Sequence, residues 1–93
     1  MKTPEHQIVR IAKALADRTR VRILQDIARR GSVSCGDTIC MAELSQPTVS
    51  HHIKVLVDAG LLNAEKKGRH VIISVNKKVL GEFTSLVALV MKP

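Results

Sequence analysis

The sequence predicts a mainly α-helical domain carrying one small β-hairpin, and three observations predict it. Apolar residues recur at helical spacing in four separate stretches, each with a polar opposite face. One of those stretches, Ser45 to Leu56, has both of its helix ends written beside it: Ser45 as a cap, Pro47 in the first turn and Gly60 as the stop. After Gly60 the pattern turns extended, with β-branched residues on the far side of Lys67-Gly68-Arg69-His70. At 93 residues the chain makes a single domain, 1–93, with a modest core.

Taken in order, Thr3-Pro4-Glu5 reads as a helix start, and Ile8, Ile11, Ala12 and Leu15 form the inner face of a first helix over about 4–16. Asp17 then caps a second helix, Arg18 to Arg30, with Val21, Leu24, Ile27 and Ala28 inward and Gly31 as its end. Arg20, Arg22, Arg29 and Arg30 are expected outside. A short third helix is expected from about Ser34 to Met41, although Gly36, Asp37 and Thr38 are poor helix formers. A tight turn over Ala42 to Leu44 leads to the capped helix from about Gln46 to Ala59, roughly 20 Å long at 1.5 Å per residue. Together they make a helix-turn-helix over about 34–59, whose second helix is the one offered to a DNA major groove. Leu62 to Lys66 and Val71 to Val75 pair as a wing over about 62–75. Asn76 caps a last helix over 77–91, in which Gly81 is a local cost. The architecture is therefore a winged helix-turn-helix of five helices, with the hairpin between the fourth and the fifth.

Fifteen Lys and Arg against eight Asp and Glu give a net charge of +7, which favours a polyanionic partner. Nucleic acid ranks before an anionic membrane, because the cations are spread over several elements instead of forming one basic amphipathic helix. No apolar signal segment opens the chain, and the longest apolar run, Leu86 to Met91, falls far short of a span, so a cytoplasmic protein is expected. Two cysteines in such a chain make thiols rather than a disulfide framework.

The helix after Ser45 carries the chemistry. Val49, Ile53 and Leu56 make its buried stripe, while Gln46, Thr48, Ser50, His51 and Lys54 lie off it, and most of these are short or planar hydrogen-bonding groups suited to base edges. The positive end of the helix dipole favours phosphate beside them. His51 and His52 are adjacent, hence about 100° apart, and do not share a metal as an i, i+4 pair would. His52 reads equally as a DNA contact and as a packing residue beside Val49. Lys66, Lys67 and Arg69 make a cationic wing tip suited to the DNA backbone or minor groove. The last helix has apolar Val79, Leu80, Phe83, Leu86, Val87 and Val90 over more than one face, more than one small domain hides, so a homodimer through the outer faces of the first and last helices is expected.

This order of elements, with Leu15-Ala16-Asp17-Arg18-Thr19-Arg20-Val21-Arg22-Ile23-Leu24 in front and Ser45 to Leu56, Gly60 and Leu61 behind, resembles the ArsR (arsenic-repressor) family of winged-helix regulators. The similarity covers about residues 8 to 80. It implies a dimeric bacterial transcriptional repressor that binds double-stranded DNA at a near-palindromic operator and leaves it when an effector binds. By position it assigns DNA contact to Gln46, Thr48, Ser50 and His51, with His52 open and Arg69 from the wing; Ser45, Lys54 and Lys67 are expected beside them as further DNA-binding residues. Arg18 stands where the family often has proline, and Thr38 and Glu43 stand where it usually has an apolar and a turn residue.

Many such regulators sense metals, but neither usual ligand set is present here. Cys35 and Cys40 are five apart, with Gly36 and Ile39 where further cysteines would be required, and the last helix offers only Glu82. No cofactor is expected. Cys35 and Cys40 leave a thiol-based redox sensor as an alternative, although on a regular helix their side chains diverge by about 140°. A winged-helix module that binds protein instead of DNA is a second alternative. An enzyme is not expected, since no nucleophile, base and oxyanion set converges and no phosphate-binding glycine loop occurs.

Overall fold

The first two helices form where the capping residues put them. In the computed structural model, which describes residues 4–34 and 46–91, α1 spans Pro4–Leu15 and α2 spans Arg18–Arg30. Between them Asp17 is extended (φ −153°, ψ 124°), and its carboxylate accepts the Arg20 amide at 3.1 Å. This satisfies one of the donors that a helix start leaves free. Gly31 ends α2 at φ +88°, its N–H donating to the Ile27 carbonyl at 2.9 Å.

Both inner stripes are rotated from the predicted ones. In α1 the buried residues are Ile11 and Ala14, and Ala12 is exposed; in α2 they are Ile23, Leu24 and Ile27, and Ala28 is exposed. Alanine is too small to decide which way a helix faces, whereas Ile23 and Ile27, four apart, are not. Arg20 shares their face at the i, i+3, i+4, i+7 spacing. It is not on the outside as expected: its side chain is only 15% exposed.

Gly31 is followed by an element the sequence reading did not include. Ser32–Ser34 is a strand, β1, with Val33 buried. The expected start of a third helix near Ser34 is therefore corrected, because Ser34 pairs with Ile72. The rest of that helix, the turn after it, Cys35, Cys40 and Ser45 lie outside the described residues.

The element written most clearly in the sequence, α3, spans Gln46–Asp58. Val49, Ile53 and Leu56 are buried, as their spacing predicts. Its stop is made by backbone geometry: Gly60 at φ +84° donates to the Val57 carbonyl at 2.9 Å, and Leu61 to Leu56 at 3.0 Å. That pair of bonds is the Schellman arrangement, which needs the left-handed conformation that glycine adopts freely.

The hairpin is longer than expected and forms part of a larger sheet. β2 (Leu62–Lys67) and β3 (His70–Val75) pair antiparallel with Lys67 opposite His70, leaving Gly68-Arg69 as a two-residue turn with Gly68 at φ +61°. β1 joins the other side of β3, giving the order β1-β3-β2 with Val33 opposite Ile73. α2 packs on β1 and β3, while α3 packs on α2 and β2. One core results, made by Ile11, Ile23, Ile27, Val33, Val49, Leu56, Leu61 and Ile73 among others. Finally α4, Lys77–Met91, starts at the predicted Asn76 cap, whose Oδ1 accepts the Val79 amide at 3.1 Å. It lies against α1, with Val79, Leu80 and Phe83 on the core side and Val87 and Leu89 exposed.

Candidate nucleic-acid interface

A helix can read a groove only if it is held from behind and bare in front. Behind α3, Val49 and Leu56 are almost wholly buried, at 1% and 0% exposure. In front, Pro47, Thr48, Ser50, His51, Lys54 and Asp58 are all exposed. At 100° per residue these positions cover an arc of about 160°, opposite the buried stripe. The first turn of α3 holds no acidic residue, so nothing there opposes an approaching phosphate. Gln46 opens the helix, and Asp58, in its last turn, is its only carboxylate.

His52 departs from this face. It sits on the flank of the arc, half-buried, and its Nδ1 lies 3.4 Å from Nη1 of Arg20. The two histidine rings are 5.9 Å apart and inclined at 52°, so His51 and His52 take different surroundings although adjacent in sequence. His52 is half-buried against Arg20, at the edge of the exposed face. His51 is exposed on the front of α3.

Arg20 is the residue sequence reasoning missed. Its Nε donates to the Ala14 carbonyl at 2.6 Å and its Nη2 to the Lys13 carbonyl at 3.2 Å. Both acceptors belong to the last turn of α1, where a cation is favoured, and the Lys13 carbonyl also takes the Ala16 amide at 3.3 Å. Nη1 also lies 3.8 Å from Asp17 Oδ2. The Arg20 amide bonded to Asp17 holds that carboxyl below its usual range, and the charges of His52 and Arg20 act in the same direction. The signal was in the sequence: Arg20 falls on the stripe of Ile23, Leu24 and Ile27.

The wing adds cations at a separate point. Lys66, Lys67, Arg69 and His70 are all exposed around the Gly68-Arg69 turn, with Lys67 and His70 in the paired strands. Leu61 and Leu62, both buried where α3 meets β2, make α3 and the hairpin parts of one packed unit. Among the described residues no group of three or more His, Cys, Asp and Glu is placed to hold a metal ion. None of the described helices is long and apolar enough to cross a membrane.

Comparison with known proteins agrees with this geometry. A family model described as a helix-turn-helix domain matches residues 15–65. The transcriptional repressor SdpR of Bacillus subtilis (strain 168) is 34% identical over 70 residues, covering 75% of this chain and 77% of SdpR. The crystal structure of an ArsR family transcriptional regulator superposes with a TM-score of 0.79 at 28% identity, covering 94% of this chain and 88% of that one. A homodimeric winged helix-turn-helix DNA-binding domain from Mycobacterium bovis, solved by NMR, shares the fold at a TM-score of 0.74 and 24% identity, over 90% of this chain and 78% of that one.

Proposed function

The chain belongs to the ArsR family of winged helix-turn-helix regulators, and from that we propose that it is a homodimeric, sequence-specific DNA-binding repressor of transcription. The observation that carries this reading is the front of α3: an exposed arc that includes Thr48, Ser50, His51 and Lys54, with no acid in its first turn, backed by buried Val49 and Leu56. Gln46, Thr48, Ser50 and His51 read base edges, and Ser45 and Lys54 hold the flanking backbone. Lys67 and Arg69 of the wing contact phosphate or the adjoining minor groove. His52 serves this face from its flank.

Two copies present two such helices, about one helical turn or roughly 34 to 36 Å apart, to a near-palindromic operator. The dimer forms through α1 and α4, where Val9 and Leu89 are 51% and 63% exposed in the single chain. The protein acts in the cytoplasm by occupancy rather than turnover, and an effector releases it from DNA. A helix-turn-helix over about 34–59, a wing over about 62–75 and dimerisation helices over about 4–16 and 77–91 divide these tasks within one domain.

The test is binding of the purified chain to duplexes selected from a random library, read by fluorescence anisotropy over a salt series. Arg69→Ala is expected to weaken binding uniformly across sequences and to reduce the slope of log K against log salt by about one. Gln46→Ala is expected to relax base preference at one position as well. A wild-type chain that enriches no duplex at any salt concentration overturns the reading.

A further inference from the structure

The contacts of Arg20 extend beyond capping. One guanidinium joins three elements: the last-turn carbonyls of α1 through Ala14 at 2.6 Å and Lys13 at 3.2 Å, the start of α2 through Asp17, and α3 through His52 Nδ1 at 3.4 Å. A guanidinium only donates, so its bond to Nδ1 requires that nitrogen to be unprotonated and the ring proton to sit on Nε2. A second arginine repeats the connection further along the same helix, since Arg10 of α1 donates to the Asp58 carbonyl in the last turn of α3. The helix that reads DNA is thus held to α1 at two points by fixed-geometry cations, and α1 packs on α4.

We propose that Arg20 is a positioning residue for DNA reading: through His52 it sets how α3 is presented, and it links that presentation to α1. The proposal rests on the assignment of α3 as the reading helix. It makes Arg20 act from behind the interface. His52 is then its handle on α3, and its loss and that of Arg20 have one common effect.

The experiment is a double-mutant cycle in the full chain with Arg20→Gln, His52→Leu and both together, using duplexes that the wild-type chain enriches from a random library. Each single change is expected to weaken binding about tenfold, and the double no more than the weaker single, as for two groups acting as a unit. The slope of log K against log salt stays at the wild-type value, because no phosphate contact is lost. Additive losses, or a slope that falls by about one in Arg20→Gln, overturn the proposal. Nitrogen NMR of the imidazoles supplies a second readout in the free protein: His52 is expected almost wholly in the Nε2–H form, and in Arg20→Gln the tautomer ratio falls back toward that of a free imidazole, which favours Nε2–H only modestly; an equal ratio in the two proteins overturns the proposal. A wild-type His52 protonated on Nδ1 overturns it. If Arg20→Gln fails to fold, His52→Gln, which keeps an acceptor, is expected within about threefold of wild type while His52→Leu is not; equal losses overturn the proposal. If the wild-type chain enriches no duplex, the DNA reading fails by itself and the ring-nitrogen shifts still decide the Arg20 contact.

Discussion

Asp17 shows how one side chain fixes a junction. Its carboxylate takes the Arg20 amide at 3.1 Å while lying near the cationic end of the same residue. The bond from that amide, with the charges of His52 and Arg20 in support, depresses its pKa. A carboxyl depressed in the folded state stabilises the protein fully above its unfolded pKa, and the contribution is lost as pH falls through the folded value. Asp17→Asn should therefore shallow the acid limb of the stability curve below about pH 4 and barely alter its shape near neutrality. Urea melts of both proteins across that range check it, and parallel curves would remove Asp17 from the account.

At the scale of elements, Asn76 joins the wing to α4. Its Oδ1 accepts the Val79 amide at 3.1 Å, its Nδ2 donates to Asn63 Oδ1 at 3.3 Å, and its own N–H meets the Leu61 carbonyl at 2.9 Å. Asn76→Ala is expected to cost about 1 kcal/mol, the usual value of a lost cap, and Asn76→Asp less, since it keeps the acceptor. Chemical denaturation of the two variants measures the difference; equal losses would show that the cap is not the source. The elements legible in the sequence were those with local signals: Asp17, Gly31, Gly60 and Asn76 bound their helices as read, and Gly68 marks the turn. Thr48, Ser50, His51, Lys54, Lys67 and Arg69 are exposed because helical and strand arithmetic places them so. What was not legible depends on distant partners. Ser32-Val33-Ser34 is too short to declare itself and is a strand because β3 is there to pair with it. Arg20 is a mixed case: its spacing puts it on the stripe of Ile23, Leu24 and Ile27, but its charge argued outward, and the acceptors that outweigh the charge, Lys13, Ala14 and His52, lie on other helices.

For the whole molecule, the decisive property is the apolar surface that the single chain leaves uncovered. Val9 on α1 and Val87 and Leu89 on α4 remain exposed at 51%, 37% and 63%, on the two helices that lie against each other. Such apolar surface on adjoining helices is what a second copy would cover. Val9→Lys combined with Leu89→Lys should produce a folded monomer, and because two linked reading heads bind far better than one, DNA affinity should fall at least about a hundredfold. Sedimentation equilibrium with a parallel anisotropy titration tests both; a variant that stays dimeric excludes this face.

The sheet order has a bearing on how the molecule behaves in crowded solution. Because β3 is taken on both flanks, the edges that the described residues offer to a foreign strand are β1, three residues long, and β2, whose Glu65, Lys66 and Lys67 are exposed and charged. Short and charged edges discourage strand-on-strand polymerisation. The hairpin can thus project from the core without becoming a seed for fibres.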